Sequence, residues 1–168
     1  DFLIFATPGR DDPFARHVAT EADTLVTPLN DSFVDFDLIG QVDAETFKVR
    51  RLSFYAELIW EARKKRAMTT ITEKRREMDW VVVRNRTQHT EARNMKRLDQ
   101  ALNELSKRVG FRIASGLSER VIYRELFPFG LTVADLSPTI RPVAMSLQHV
   151  AARQELRAVM VALGFNGL

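Results

Sequence analysis

Asp79-Trp-Val-Val-Val-Arg-Asn-Arg86 decides the fold. Four consecutive apolar side chains, three of them β-branched, stop at a polar triplet. The run is too short for a helix and apolar on both alternating faces, so residues 80–83 read as a strand covered on both sides. Arg84, Asn85 and Arg86 then stand just past its carboxyl end. Upstream, residues 24–29 form a similar short run that ends in Asn30-Asp31, and downstream Phe111-Arg-Ile-Ala114 ends in Ser115-Gly116. A fourth run, Phe2-Leu-Ile-Phe-Ala6, is closed by Thr7-Pro8-Gly9 and predicts a buried strand that enters a loop.

Helical periodicity fills the intervals. After Thr90, a predicted N-cap, Met95, Leu98, Leu102, Leu105 and Val109 recur at three- and four-residue steps, and Gly110 sits where a C-terminal cap belongs. Residues 54–68 predict a helix with Leu58, Ile59 and Ala62 inward and Arg63-Lys64-Lys65-Arg66 at its end, where cations suit the helix dipole. Ser146 opens a last helix in which Leu147, Val150, Ala151, Val159, Ala162 and Leu163 can share a face, with Gly164 beyond it. Strand alternating with helix is the pattern of an α/β fold, here a partial doubly wound, mostly parallel sheet flanked by helices. No repeat, low-complexity tract or linker interrupts it, so residues 1–168 are expected to form one domain. The chain opens on a core-like run and on Asp1, and four strands are few for such a sheet, so the expectation is a piece of something longer.

Composition narrows the chemistry. There is no cysteine, and the three histidines, His17, His89 and His149, are too scattered to suggest a metal site. No apolar run approaches the roughly 20 residues that span a bilayer, and the start lacks the basic leader of a signal peptide, which predicts a cytoplasmic or nuclear protein. The net charge of +3 conceals an asymmetry: residues 1–49 hold 10 acids against 3 bases, and residues 50–168 hold 22 bases against 12 acids. A stretch at +10 attracts polyanions, and a solvated helix surface gives the same count.

Several stretches share the pattern of one family. Asp1-Phe-Leu-Ile-Phe-Ala-Thr-Pro-Gly9 and Leu25-Val-Thr-Pro-Leu-Asn-Asp-Ser-Phe-Val-Asp-Phe-Asp37 resemble the ParA/MinD group of deviant P-loop ATPases. Residues 79–86, Glu91-Ala-Arg-Asn94, Lys107-Arg-Val-Gly-Phe-Arg112, Arg120-Val-Ile-Tyr-Arg-Glu-Leu-Phe-Pro-Phe-Gly130 and Ala151-Ala-Arg-Gln-Glu-Leu-Arg157 are similar to the MipZ-like division-plane positioning ATPases within it. The resemblance covers nearly the whole chain. It implies a P-loop NTPase-like fold and a protein that uses ATP and magnesium. It further implies dimerisation on ATP, non-specific DNA binding by the dimer, recognition of ParB and restraint of FtsZ assembly. It also exposes two departures. The 168 residues contain no Gly-rich phosphate loop with its lysines, so no cofactor is expected for this chain alone. Where the family carries an aspartate before Thr-Pro-Gly, this chain has Ala6, and alanine cannot hold a magnesium-bound water, so slow hydrolysis is expected even with a phosphate loop supplied.

Each candidate residue carries two readings. Asn85 is either a turn former or, as the resemblance implies for Arg-Asn-Arg, the residue that reads the nucleotide base, with Arg86 beside it. Thr7, Pro8 and Gly9 are either an ordinary strand-ending turn or the phosphate-side loop. Arg93, Lys96, Arg97, Lys107 and Arg108 on the polar side of the residue 90–109 helix, with Arg120 after it, are either a solvated face or a DNA contact. Such contact would be to phosphates, since no base-reading pattern is present. Asp11-Asp12 and the Asp35/Asp37 pair have no nucleophile or base beside them and read as capping or solvating acids. Trp60 and Trp80 read as core or interface groups, and Phe127-Pro-Phe129 as an apolar turn. An alternative function is a catalytically inactive DNA- or protein-binding module of the same fold.

Overall fold

The computed structural model describes residues 2–30, 32–43, 45–73, 76–87, 92–136 and 147–165, with backbone only at 70–73 and 92–94. Its centre is β4 (Asp79–Thr87), which pairs in parallel with β1 (Thr24–Asn30) on one side and β5 (Arg112–Ser118) on the other. Parallel neighbours that share a register position share a face, so Leu25, Thr27, Leu29, Trp80, Val82 and Ile113 point to one side. There they meet α3 (Phe54–Glu73) and α4 (Ala92–Val109), and with Ile59, Leu98, Ala101, Leu102, Leu105 and Phe111 they make the larger core. Val81, Val83 and Ala114 point to the other side and pack on α6 (Leu147–Ala162) through Val159. Helices on both faces explain why residues 80–83 are apolar without alternation. The α/β class and the parallel sheet are therefore as expected.

Polar side chains tie this core together. The indole N–H of Trp80 donates to Thr27 Oγ1 at 3.0 Å, and Thr27 Oγ1 lies 2.9 Å from the Tyr55 hydroxyl. Burial pushes the Tyr55 phenol up, and the bond to Thr27 opposes that. At the end of α4, Gly110 adopts the left-handed φ of 80° that a C-cap requires, and its N–H returns to the Ser106 carbonyl at 2.8 Å. Arg63 of α3 donates to the Val109 carbonyl there and to that of Met78, each at 3.4 Å.

The structure corrects several expectations. Residues 2–6 form no strand: Phe2, Leu3, Ile4 and Phe5 are exposed without a sheet partner, because all three strands of the parallel sheet pair only with one another. Phe2 packs on Phe165 and Phe5 on Phe14 instead. α3 runs on to Glu73, so Arg63-Lys64-Lys65-Arg66 lies mid-helix, and Arg66 is buried at 2% exposure. Its guanidinium reaches the carbonyls of Arg76 and Glu21 at 2.8 Å and Asp23 at 2.6 Å, which joins α3 to the end of α1 (Pro13–Glu21) and to the start of β1. Both β4 and β5 run further than expected, so Arg84, Asn85 and Arg86 lie inside β4, and Ser115-Gly116 inside β5. Of the predicted α6 face, Val159 and Ala162 point inward together with Ala152 and Leu156, and with Leu163 just beyond the helix, while Leu147 and Val150 are exposed. Trp80 is core and Trp60 is exposed, as are Phe127 and Phe129. The expected caps Thr90 and Ser146 fall outside the described residues.

Besides α1 and the short helices, a β-hairpin had no counterpart in the sequence reading. Gly40–Val42 (β2) and Val49–Leu52 (β3) form an antiparallel hairpin that lies against α4. A Cβ on Gly40 would stand 3.0 Å from both the Arg51 carbonyl oxygen and a Leu105 methyl, so any larger residue would make the hairpin or Leu105 give way. Two short α-helices, α2 (Phe33–Phe36) and α5 (Val121–Leu126), and two 3-10 turns, Phe127–Phe129 and Val133–Asp135, complete the described elements, and α5 with α6 encloses a small cluster of Ile122, Leu126, Val133, Leu136 and Ala152. No described helix is long and apolar enough to cross a membrane.

Candidate functional site

The carboxyl ends of the three parallel strands lie side by side, at the edge where open α/β sheets bind ligands. The pairing of β4 with β5 is interrupted there twice. From Val83↔Ala114 to Asn85↔Leu117, β5 spends one residue more than β4, and from Asn85↔Leu117 to Thr87↔Ser118, β4 spends one residue more than β5. The two irregularities cancel, and Asn85 is the residue caught between them. Each extra residue shows its cost locally. A Cβ on Gly116 would stand 2.7 Å from the Arg84 carbonyl oxygen, so that approach requires glycine. Arg86 takes a left-handed φ of 53°, an uncommon setting for a non-glycine residue. Bulges of this kind re-aim a side chain at a strand end.

The residue so aimed meets a partner from the adjacent strand. Asn30 and Asn85 share a register position, and the Asn85 amide donates to Asn30 Oδ1 at 3.5 Å on the exposed rim. Two carboxamides there leave donors and acceptors on offer to a planar heterocycle edge. Asn30 is the residue that the sequence reading missed; its only signal was a place at the end of a predicted strand. Arg86 is exposed and pairs with Glu119 at 3.0 Å, and Glu119 also lies 3.8 Å from Arg124.

On the same edge, Glu155 of α6 organises a second cluster. Its carboxylate accepts from the Ser118 N–H at 3.1 Å and the Ser118 hydroxyl at 2.9 Å, and from Arg120 through Nη2 at 2.6 Å and Nε at 3.2 Å. Burial alone would push this carboxyl up. The bonds from Arg120 and Ser118 outweigh burial and hold it below its usual value. The Tyr123 hydroxyl is buried and has no hydrogen-bond partner among the described residues. Burial pushes that phenol up, and the nearby charge of Glu155 adds to the shift.

The other predicted site residues scatter. Thr7, Pro8 and Gly9 are exposed coil, and a Cβ on Gly9 would meet nothing within 4 Å. No described bond or ion pair joins them to Asn85 or Arg86. Nothing in residues 6–9 supplies a carboxylate, and the nearest acids are already engaged: Asp12 caps α1 through the Ala15 N–H at 2.8 Å, and Asp11 pairs with Arg16 at 2.6 Å. Asp35 likewise serves locally, bonded to Ser32 at the start of α2. The edge thus offers paired carboxamide donors and acceptors, and residues 6–9 hold no carboxylate that would fit a magnesium shell.

The six basic candidates do not form one patch. Arg93 lies in α4, with its side chain outside the description; Lys96 and Arg97 are exposed one turn on. Lys107 and Arg108 are exposed at the other end of α4, about 16 Å from Arg97 at 1.5 Å per residue, and Lys107 pairs with Glu104 at 2.9 Å. Arg120 is tied to Glu155 on α6, the layer across the sheet from α4. Arg97 lies over the Phe47 ring of the hairpin, its guanidinium carbon 5.6 Å from the ring centroid.

Compared with known proteins, residues 1–167 match the sequence model of the family described as ATPase MipZ. None of the curated proteins matches the chain.

Proposed function

The chain belongs to the MipZ ATPase family, ATPases of the ParA/MinD type that act in cell division and partitioning, and from that premise we propose that its strand-end edge holds the base of ATP. The observation that carries this reading is the Asn30–Asn85 pair at the ends of adjacent parallel strands. Asn85 reads the base with Asn30 beside it, Arg86 closes the rim, and Thr7, Pro8 and Gly9 face the phosphates. The reading extends to what the family pattern implies: dimerisation on ATP with magnesium, DNA binding without sequence preference through the α4 bases, engagement of ParB and restraint of FtsZ assembly in a bacterial cytoplasm. Titration calorimetry of the 168-residue chain with ATP, GTP and adenosine tests the base reading. Adenosine should retain part of the ATP heat, GTP should bind at least tenfold more weakly, and Asn85→Ala should remove the difference. Equal binding of ATP and GTP, or an Asn85→Ala protein that still discriminates, sinks it.

A second reading is favoured by Ala6. A chain with no carboxylate before Thr-Pro-Gly is suited to be an inactive DNA- or protein-binding module that keeps the fold without hydrolysis. Ala6→Asp separates the two: magnesium-dependent tightening of ATP in that variant supports an ATPase impaired at one position, and no change supports the module.

A further inference from the structure

We infer that the ion pair between Arg84 and Asp99 is a positioning device for Asn85, through which α4 holds the base-reading end of β4 in place. This rests on the reading of Asn85 as the residue that meets the base, and it extends that reading to two residues with no assigned role.

Arg84 follows Trp80 and Val82 at two-residue steps along β4 and shares a register position with Leu29, so it continues the column of side chains that faces α3 and α4. The column before it is apolar and buried. Here it ends in a guanidinium that is 17% exposed and reaches Asp99 of α4 at 2.7 Å. Asp99 follows Leu98, which is packed in the larger core, and its own side chain is 47% exposed. An ion pair with one partner this wet adds little to stability. What it supplies is direction: apolar contacts between α4 and the sheet are non-directional, whereas a charge-assisted hydrogen bond fixes where a strand end sits.

The backbone of the same residue is confined by β5. A Cβ on Gly116 would stand 2.7 Å from the Arg84 carbonyl oxygen, at the first irregularity between β4 and β5. Arg84 is thus tethered to α4 by its side chain and packed closely on β5 by its backbone. Asn85, the next residue, is set between the two irregularities from that anchored point. Cutting the tether leaves the Gly116 approach but frees Arg84 to swing, and the Asn85 amide then loses its aim at Asn30 Oδ1.

The test joins two readouts on the 168-residue chain: the preference for ATP over GTP by titration calorimetry, and the side-chain carboxamide NMR resonances of Asn85 and Asn30, which need no nucleotide. Asp99→Ala should shift both carboxamides, leave the Trp80 indole resonance in place and lower the preference about threefold, within the range by which residues that touch no ligand modulate a site. Asp99→Glu, which keeps the carboxylate, should recover most of the preference. Arg84→Met combined with Asp99→Ala should discriminate no worse than Arg84→Met alone, since both changes remove one interaction. If Arg84→Met displaces the Trp80 resonance, the variants of half-exposed Asp99 still decide the matter. A merely structural pair would instead lower the melting temperature and weaken ATP and GTP alike. That result, or an Asp99→Ala protein whose carboxamides and preference match the wild type, overturns the inference, while a preference lost in Asn85→Ala keeps the base reading standing. If the wild type shows no preference, or Asn85→Ala retains it, the base reading falls and this inference falls with it.

Discussion

Arg120 grips both carboxylate oxygens of Glu155, at 2.6 and 3.2 Å, and thereby fastens the end of β5 to α6. The same carboxylate accepts from both donors of Ser118, so four hydrogen bonds converge on one side chain that is 22% exposed. An arginine that the sequence reading groups with the candidate DNA-binding residues is therefore committed within the fold.

Glu155→Ala should cost about 2 kcal/mol, because it leaves a half-buried guanidinium and two Ser118 donors without their acceptor. The loss should also depend on pH. A carboxyl held below its unfolded value contributes stability that is fully present above roughly pH 4.5 and disappears as pH falls through the depressed folded value. Urea titrations of the wild type and Glu155→Gln at pH 7 and pH 3.5 check this: the gap between the two proteins should narrow at the lower pH, and a gap that stays constant removes Glu155 as its source.

Arg66 makes the buried counterpart of that contact. Arg66→Ala should destabilise by about 3 kcal/mol, because the carbonyls of Arg76, Glu21 and Thr20 lose their donors together. Asp23, at 89% exposure, returns to water and adds little. Arg66→Lys should recover less than half, since one ammonium cannot span acceptors that a planar fork reaches. Equal stability of the lysine variant and the wild type would contradict that geometry.

How legible this was in sequence depended on the length of the pattern. α4 was readable because five buried residues, Leu98 to Val109, repeat over three turns and end on Gly110. Residues 80–83 were readable because burial on both faces leaves no polar alternate. The β2–β3 hairpin was not, since a glycine with two residues and Val-Arg-Arg-Leu carry no period and owe their place to contact with Leu105. Arg66 was misread for the opposite reason: within a run of four cations, nothing local marks the one that turns inward. At the candidate site, Asn85 was visible by its position after the valines. Asn30 became its partner only through the register of β1 on β4, a relationship between residues 55 apart.

The Thr27–Trp80–Tyr55 contact separates packing from polar satisfaction. Thr27→Val preserves the shape yet leaves the buried indole N–H without an acceptor, so it should cost about 1–2 kcal/mol. Because the Tyr55 phenol also loses its bond to Thr27, its titration should move further upward, readable by ultraviolet absorbance at alkaline pH. A stability loss without that movement would mean Tyr55 is not bonded to Thr27 in solution.

Gly116 is where the geometry of the strand ends can be broken by one methyl group. A Cβ there would stand 2.7 Å from the Arg84 carbonyl oxygen and 2.8 Å from the Arg84 Cβ. Both are backbone-anchored and cannot swing aside as a flexible side chain would. Gly116→Ala should therefore push β4 and β5 apart at the first of the two irregularities, at a cost of about 2 kcal/mol in the range known for overpacked sites. Asn85 follows immediately after, so its amide should separate from Asn30, while the core around Trp80, five residues back along β4, stays intact. Amide NMR shifts of the variant should change at residues 84–87 and 116–118 and remain in place at 80–82. If the changes instead spread through the larger core, the strand ends are not an independently adjustable unit, and the aiming of Asn85 would have to come from the sheet as a whole.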